Sequence, residues 1–352
     1  MVKSGGRKPP AFYFAVRKSS PVCYLDRVLK YIFRRLVSSL LVLWVATIGV
    51  FVMVAYSGDP LFDLKMNPTT SPKTILVREH QLFLDRPLPW RYWHWIDNLF
   101  HGNLGLDMSN VAVRPQLFIH MVVTLRMVVL AFVLAVVIAV SLGVLAALRR
   151  GGFTDRGITF TTFFFLATPV FVTGLFLKFY VAIPLYRYFG HQIFATTGAA
   201  SPLASGSFFH RIPDYVAHLT LPTVTLILAV FSSWTIYQRS SILETMNLDH
   251  VMLARSKGIK PRRVLMRHIL RNALIPVTTV LALDFAGLLG GAVVTETVYS
   301  WNGLGRWFLE GASKQDLNIT LAYLLFTAVL VIMFNLLADI AYGFLDPRIR
   351  YR

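Results

Sequence analysis

Cysteine is almost absent from the chain: Cys23 stands alone in 352 residues. That excludes an intrachain disulfide and a cysteine metal cluster. Acids are also scarce, 17 Asp and Glu against 35 Lys and Arg, for a formal charge of +18 at pH 7. Nine histidines occur, yet none falls in an HExxH spacing, and there is neither a GxxxxGKS-type phosphate loop nor a GxSxG elbow. These gaps predict a chain that is not itself an enzyme, binds no metal or cofactor and cannot hold ATP in the usual way. The first 25 residues, with Lys3, Arg7, Lys8, Pro9 and Pro10, contain no long apolar core. They make a poor signal peptide and predict a flexible tail.

What the chain does have is apolar length. Hydrophobic residues make up 55% of it, and the mean hydropathy is +0.58. Six runs predict membrane spans, at about 36–56, 119–148, 158–184, 219–237, 277–298 and 321–345. The bases between them are unevenly placed. Segments 1–36, 149–157, 237–275 and 346–352 hold 23 of the 35 Lys and Arg, whereas the longer segments 57–118, 185–218 and 300–320 hold 10. The positive-inside rule then puts both termini and the 239–276 loop in the cytoplasm. Basicity here describes topology and calls for no nucleic-acid partner.

The 239–276 loop organises the rest. After Arg239 it carries Arg255, Lys257, Lys260, Arg262, Arg263, Arg267 and Arg271 against Glu244 and Asp249. Asn247 or Asp249 can cap a short helix, Leu248, Val251, Met252 and Leu253 give it an apolar patch, and Gly258 offers a left-handed stop. Pro261 opens a second basic helix. An amphipathic helix held outside the bilayer needs a surface to receive it, either anionic lipid or a partner protein.

The residues of this loop favour the protein. LARSKGIKPRRVLMRHILRNALIPV resembles the coupling loop of permease subunits in bacterial ABC importers of the dipeptide and oligopeptide branch. The matching positions are Ala254, Gly258, Arg267, His268, Arg271, Asn272, Ala273 and Pro276; Met252 stands where the founding signature has an acid. Further similar strings are the Gly58-Asp59-Pro60 turn, the run from Arg86 to Gly105 with Asn103 in place of Asp, and Glu296 to Gly305 with Asn302 in place of proline. The Asp346 to Arg350 ending is another. The resemblance implies an all-α, six-span type I permease domain over 31–352, behind a cytoplasmic tail at 1–30. It implies ATPase contact through Leu248, Asp249, Val251, Met252, Leu253, Ala254, Arg255, Lys257 and Gly258. The implied partners are a second homologous permease in a heterodimer, one or two cytoplasmic ATPases that bind ATP and Mg, and an extracellular or periplasmic solute-binding protein. The implied location is the bacterial cytoplasmic membrane.

Charges within the spans single out further residues. Asp284 lies deep in span five, with Lys178 its nearest candidate partner in depth, so both are expected along a translocation path or in an ion pair. Arg126, Glu296 and Asp339 lie near span ends, where snorkelling or capping is expected. Gly287, Gly290 and Gly291 suit close helix packing. A gradient-driven secondary transporter is the alternative, but no internal repeat of the kind such folds contain is visible.

Overall fold

The computed structural model describes residues 21–201 and 208–345. The fold is all-α as expected, and no β-strand occurs among the described residues beyond an isolated bridge between Leu106 and Ala112. Residues 1–20, the 346–350 ending and the Asp339 side chain lie outside the described residues.

Helix α1 (Pro21–Tyr56) opens earlier than the expected span, so residues 21–30 are helical and continuous with it. Proline can occupy a first helical turn, and no further proline or glycine interrupts until Gly49. Three short helices follow, α2 (Phe62–Met66), α3 (Pro72–Gln81) and α4 (Leu88–Phe100). They lie at the end of the bundle opposite the basic loop. Helix α5 (Val113–Leu148) is the second span.

The third span departs from expectation. Instead of one helix kinked at Pro169, the chain forms α6 (Phe153–Ala167), breaks at Thr168, and resumes as α7 (Val170–Phe176), a π-helical stretch Leu177–Ala182 and α8 (Ile183–Phe189). Thr168 is extended (φ −89°, ψ 121°), as the ring of a following proline demands. Consequently the membrane-length segment is Val170–Phe189, and 158–167 belongs to a separate helix. Helix α9 (Phe208–Met246) continues without a break through Pro213 and Pro222. Then come α10 (Asp249–Ser256), α11 (Pro261–Val264), a π-helical Leu265–Ile269, α12 (Leu270–Val298), α13 (Leu304–Ser313) and α14 (Leu317–Leu345). Among the described residues, six segments are long and apolar enough to cross a membrane.

The core of the bundle is the seam between α5 and α9. Small residues recur every fourth position on α5, at Ala131, Ala135, Ala139, Gly143 and Ala147, and all are buried. That stripe lets α9 approach closely. A Cβ on Gly143 would lie 2.7 Å from the Gln238 Cβ and 3.0 Å from the Thr235 carbonyl oxygen. Phe132, Trp234, Phe285 and Phe334 fill the space toward α12 and α14, with Phe132 edge-on to the other three at 5.5–5.7 Å.

Candidate functional site

The basic loop is a built structure. Helix α10 begins after an extended Leu248 and ends at Ser256, two residues before Gly258, whose φ of 73° is the left-handed stop expected there. Leu248, not Asn247 or Asp249, holds the capping position, and no side chain bonds the helix start. Pro261 opens α11 as expected, and the π-helical turn behind it carries Arg267 and His268.

The expected apolar patch divides between two faces. Val251 and Ala254 are buried with Ala147 of α5, Ile242 of α9, Val264 of α11, and Ile269 and Ala273 leading into α12. Leu248, Met252 and Leu253 point the other way, 46%, 52% and 56% exposed. This correction follows from the geometry: 251 and 254, three apart, share a face that 252 and 253 lie off, and the extended Leu248 stands outside the helix. Asp249, Arg255, Lys257, Gly258 and Lys260 are also exposed, so the outward face is an apolar strip bordered mainly by cations.

Polar contacts bind this unit to the spans. Ser241 Oγ donates to the Ala273 carbonyl at 2.8 Å, and the Asn272 amide nitrogen reaches His250 Nε2 at 3.0 Å. Below it, Arg239 forms a two-point pair with Asp155, Nε to Oδ1 at 2.7 Å and Nη2 to Oδ2 at 2.9 Å. The Gly151 N–H also donates to Asp155, at 2.8 Å. The Arg239 guanidinium, more than the Gly151 N–H, holds this carboxyl at about 2, below the ordinary 3.8. The pair ties the turn after α5 to α9 just ahead of α10.

At the opposite end, the string from Glu296 to Gly305 knots five helices together. Glu296, expected to snorkel or cap, is fully buried. Its carboxyl accepts from the Thr124 hydroxyl of α5 and from the Arg306 N–H at 2.9 Å, while the Leu304 N–H donates to Thr124 Oγ at 2.7 Å. Tyr299 Oη donates to the Gly174 carbonyl at 3.0 Å and lies 3.0 Å from Thr225 Oγ. Trp301 Nε1 donates to the Val123 carbonyl at 3.2 Å. Arg126 does not snorkel either: its Nη2 donates to the Ala199 carbonyl at 2.9 Å, and its guanidinium faces Trp301 and Tyr215 at 5.1 and 5.3 Å.

The chain matches the family "Binding-protein-dependent transport system inner membrane component" over residues 139–351, and that family's N-terminal component over residues 28–117. This chain belongs to that family. It is 35% identical over 322 residues to the oligopeptide transport system permease protein OppB of Mycobacterium tuberculosis, covering 91% of this chain and 99% of that one. It is 36% identical over 324 residues to oligopeptide permease AppB of Bacillus subtilis, with the same coverage. Against the dipeptide permease DppB of Escherichia coli it is 33% identical over 319 residues, 84% of this chain and 91% of the relative. In fold it resembles an inward-facing structure of the MetNI methionine ABC transporter, with TM-score 0.50 and 16% identity over 66% of this chain and 96% of that one. It is thus a multi-pass membrane component with the permease fold.

The two charged residues assigned to a path separate in space. Lys178 Nζ donates to the Val298 carbonyl at 3.1 Å, at the very end of α12. Asp284 lies 14 residues earlier on that helix, about 21 Å along its axis. No Lys178–Asp284 pair forms. Asp284 instead accepts from Trp234 Nε1 at 2.8 Å and stays partly exposed beside Leu283 and Gly287. Of the packing glycines, a Cβ on Gly291 would lie 3.7 Å from Leu226 of α9, whereas one on Gly287 or Gly290 would meet nothing within 4 Å. Sequence reasoning missed the α5 stripe, although its period of four is plain in the letters 131–147; the eye follows large apolar residues there.

Proposed function

We propose that this chain is the transmembrane permease subunit of an ATP-driven importer of di- or oligopeptides in the bacterial cytoplasmic membrane, with both termini in the cytoplasm. The observation that carries the reading is the two-sided α10. Its inner face is fused to α5, α9 and α12, and its outer face offers Leu248, Met252 and Leu253 between cations. Motion of a body docked on that face is passed to the spans, which rock between inward- and outward-facing states. The ATPase itself, with ATP and Mg, belongs to one or two cytoplasmic partners. The peptide cargo is supported by the relatives named for oligopeptide and dipeptide transport. A second, homologous permease completes the path, and a solute-binding protein delivers cargo from outside.

Asp284 is assigned to the path because a partly exposed carboxyl at membrane depth, held by one indole N–H, is placed to meet a peptide amine. Loss of transport in Asp284→Asn, with the protein still inserted, is the expected outcome. The deciding test of the whole reading is to tag the chain, extract it gently and identify what accompanies it. Recovery of a second six-span permease and ATPases, with ATP-dependent uptake of a labelled peptide after reconstitution, is expected. Recovery of the chain alone, with uptake driven by an ion gradient, would establish the secondary transporter instead.

A further inference from the structure

On the face opposite the basic loop, a cavity of about 350 Å³ lies between the end of α1, helices α3 and α4, and the start of α14. Its walls are strained. Of the four non-glycine residues with positive φ among the described residues, three line this cavity: Phe83 (55°), Asn110 (62°) and Gln315 (55°). Such backbone persists only where the surroundings enforce it, and it collects at ligand sites.

The enforcement comes from two charged side chains. The buried Arg78 donates to the Asp107 and Met108 carbonyls at 3.2 and 2.5 Å, to Gln81 Oε1 at 2.9 Å and to the Asn110 side chain. Asp316 accepts the N–H groups of Met108 at 2.7 Å and of Asn318 and Ile319 at 3.1 Å. Both charges are therefore used in holding the walls.

What remains is a row of donors on α4. Arg91, His94, Trp95 and Asn98 recur at helical spacing and all line the cavity. The Arg91 guanidinium has no carboxylate or carbonyl partner among the described residues and faces only the Phe51 ring, at 6.0 Å. Trp95 is buried, and its indole N–H has no partner. Val54, Leu82 and Leu106 supply apolar wall.

We propose that this cavity binds a small carboxylate carried on a short apolar body, the chemistry of an amino acid or of a short peptide's carboxyl end, with Arg91 as its charge partner. A guanidinium fork matches a carboxylate in two-point geometry. A cation would be repelled by Arg91, a neutral ligand would leave it unpaired, and a phosphate dianion would carry more charge than Arg91 alone can pair. The volume is at the low end for small-molecule sites, which sets the ligand's size. The inference needs only this face of the molecule and stands whatever the bundle transports.

The test is calorimetric titration of the full chain, with its co-purifying partners in nanodiscs, using trialanine, trialanine amide and inorganic phosphate. Trialanine is expected to bind the wild type and to weaken at least tenfold when the amide is used or when Arg91→Gln is introduced. No binding, equal binding of the amide, undiminished binding to Arg91→Gln, or displacement of trialanine by phosphate would each overturn the assignment. If Arg91→Gln does not accumulate, Leu106→Trp, which fills the space without touching the Arg78 or Asp316 contacts, decides the matter. A tenfold loss supports the site, and unchanged binding removes it.

Discussion

Asp155 shows how much one residue can hold. Its carboxyl is nearly inaccessible, and it meets Arg239 at two points. Because the folded pKa is depressed to about 2, the pair's stabilisation is fully present above the unfolded carboxylate value near 4. It is lost as pH falls through about 2. Asp155→Asn should cost on the order of 2 kcal/mol at neutral pH, because it leaves Arg239 without its anion. The measurement is thermal unfolding in detergent at pH 7 and pH 3: the variant's deficit against wild type should narrow at pH 3, and no deficit at pH 7 would refute the assignment. Gly258 tests backbone alone, since a Cβ there meets nothing within 4 Å while φ is 73°. Gly258→Val should uncouple transport from ATP hydrolysis, and Gly258→Asn, which visits left-handed backbone at smaller cost, should keep most of it. Equal uptake by the two variants would show that this turn is not a coupling element. Gly258 was legible in the letters because a left-handed stop is a local property. The Lys178–Asp284 pairing was not, because depth in a bilayer read from span boundaries fails when a span breaks at Thr168 and shifts its register.

At the scale of elements, α10 divides its residues between two jobs, and substitutions should divide in the same way. Leu253→Asp places a charge on an exposed surface, so insertion and thermal stability should stay within about 0.5 kcal/mol of wild type. On the proposed docking, recovery of the ATPase with the tagged chain should fall, since a charge would stand in the apolar strip. Val251→Asp buries the same charge in the cluster with Ile242, Val264 and Ala273, and there the fold itself should fail. Undiminished co-purification with Leu253→Asp would move the docking face elsewhere. The loop's composition announced a helix with an apolar patch, but not which residues turn inward. That depends on α5, α9 and α12 converging on Val251 and Ala254, a long-range fact. The same limit explains Glu296: its place near a span end suggested water, while the knot made by Thr124, Leu304 and Arg306 encloses it.

For the molecule as a whole, the question is what covers α12. Leu283, Gly287 and Val294 are exposed along this helix at helical spacing, beside Ala286 and Gly290, which are exposed to a cavity of about 870 Å³ shared with α1 and α14. Other faces of α12 meet α9, α13 and α14, so this one is left over within a single chain. Lipid tails gain little from contact with small residues, whereas another helix can approach a glycine closely enough for backbone packing. On the proposed assignment of Asp284 to the path, the flank of this same face stays open until a second permease closes it. Gly287→Phe is therefore expected to leave the subunit's own stability unchanged, because a Cβ at Gly287 meets nothing within 4 Å. It should reduce recovery of the second permease with the tagged chain at least severalfold and lower uptake in proportion. Gly143→Phe is the contrast: it collides with Gln238 inside the chain and should destabilise the subunit before any partner is reached. If Gly287→Phe retained its partner in full while Gly143→Phe unfolded, the exposed strip of α12 would be a lipid-facing surface, and the closing contact would have to be sought on another helix.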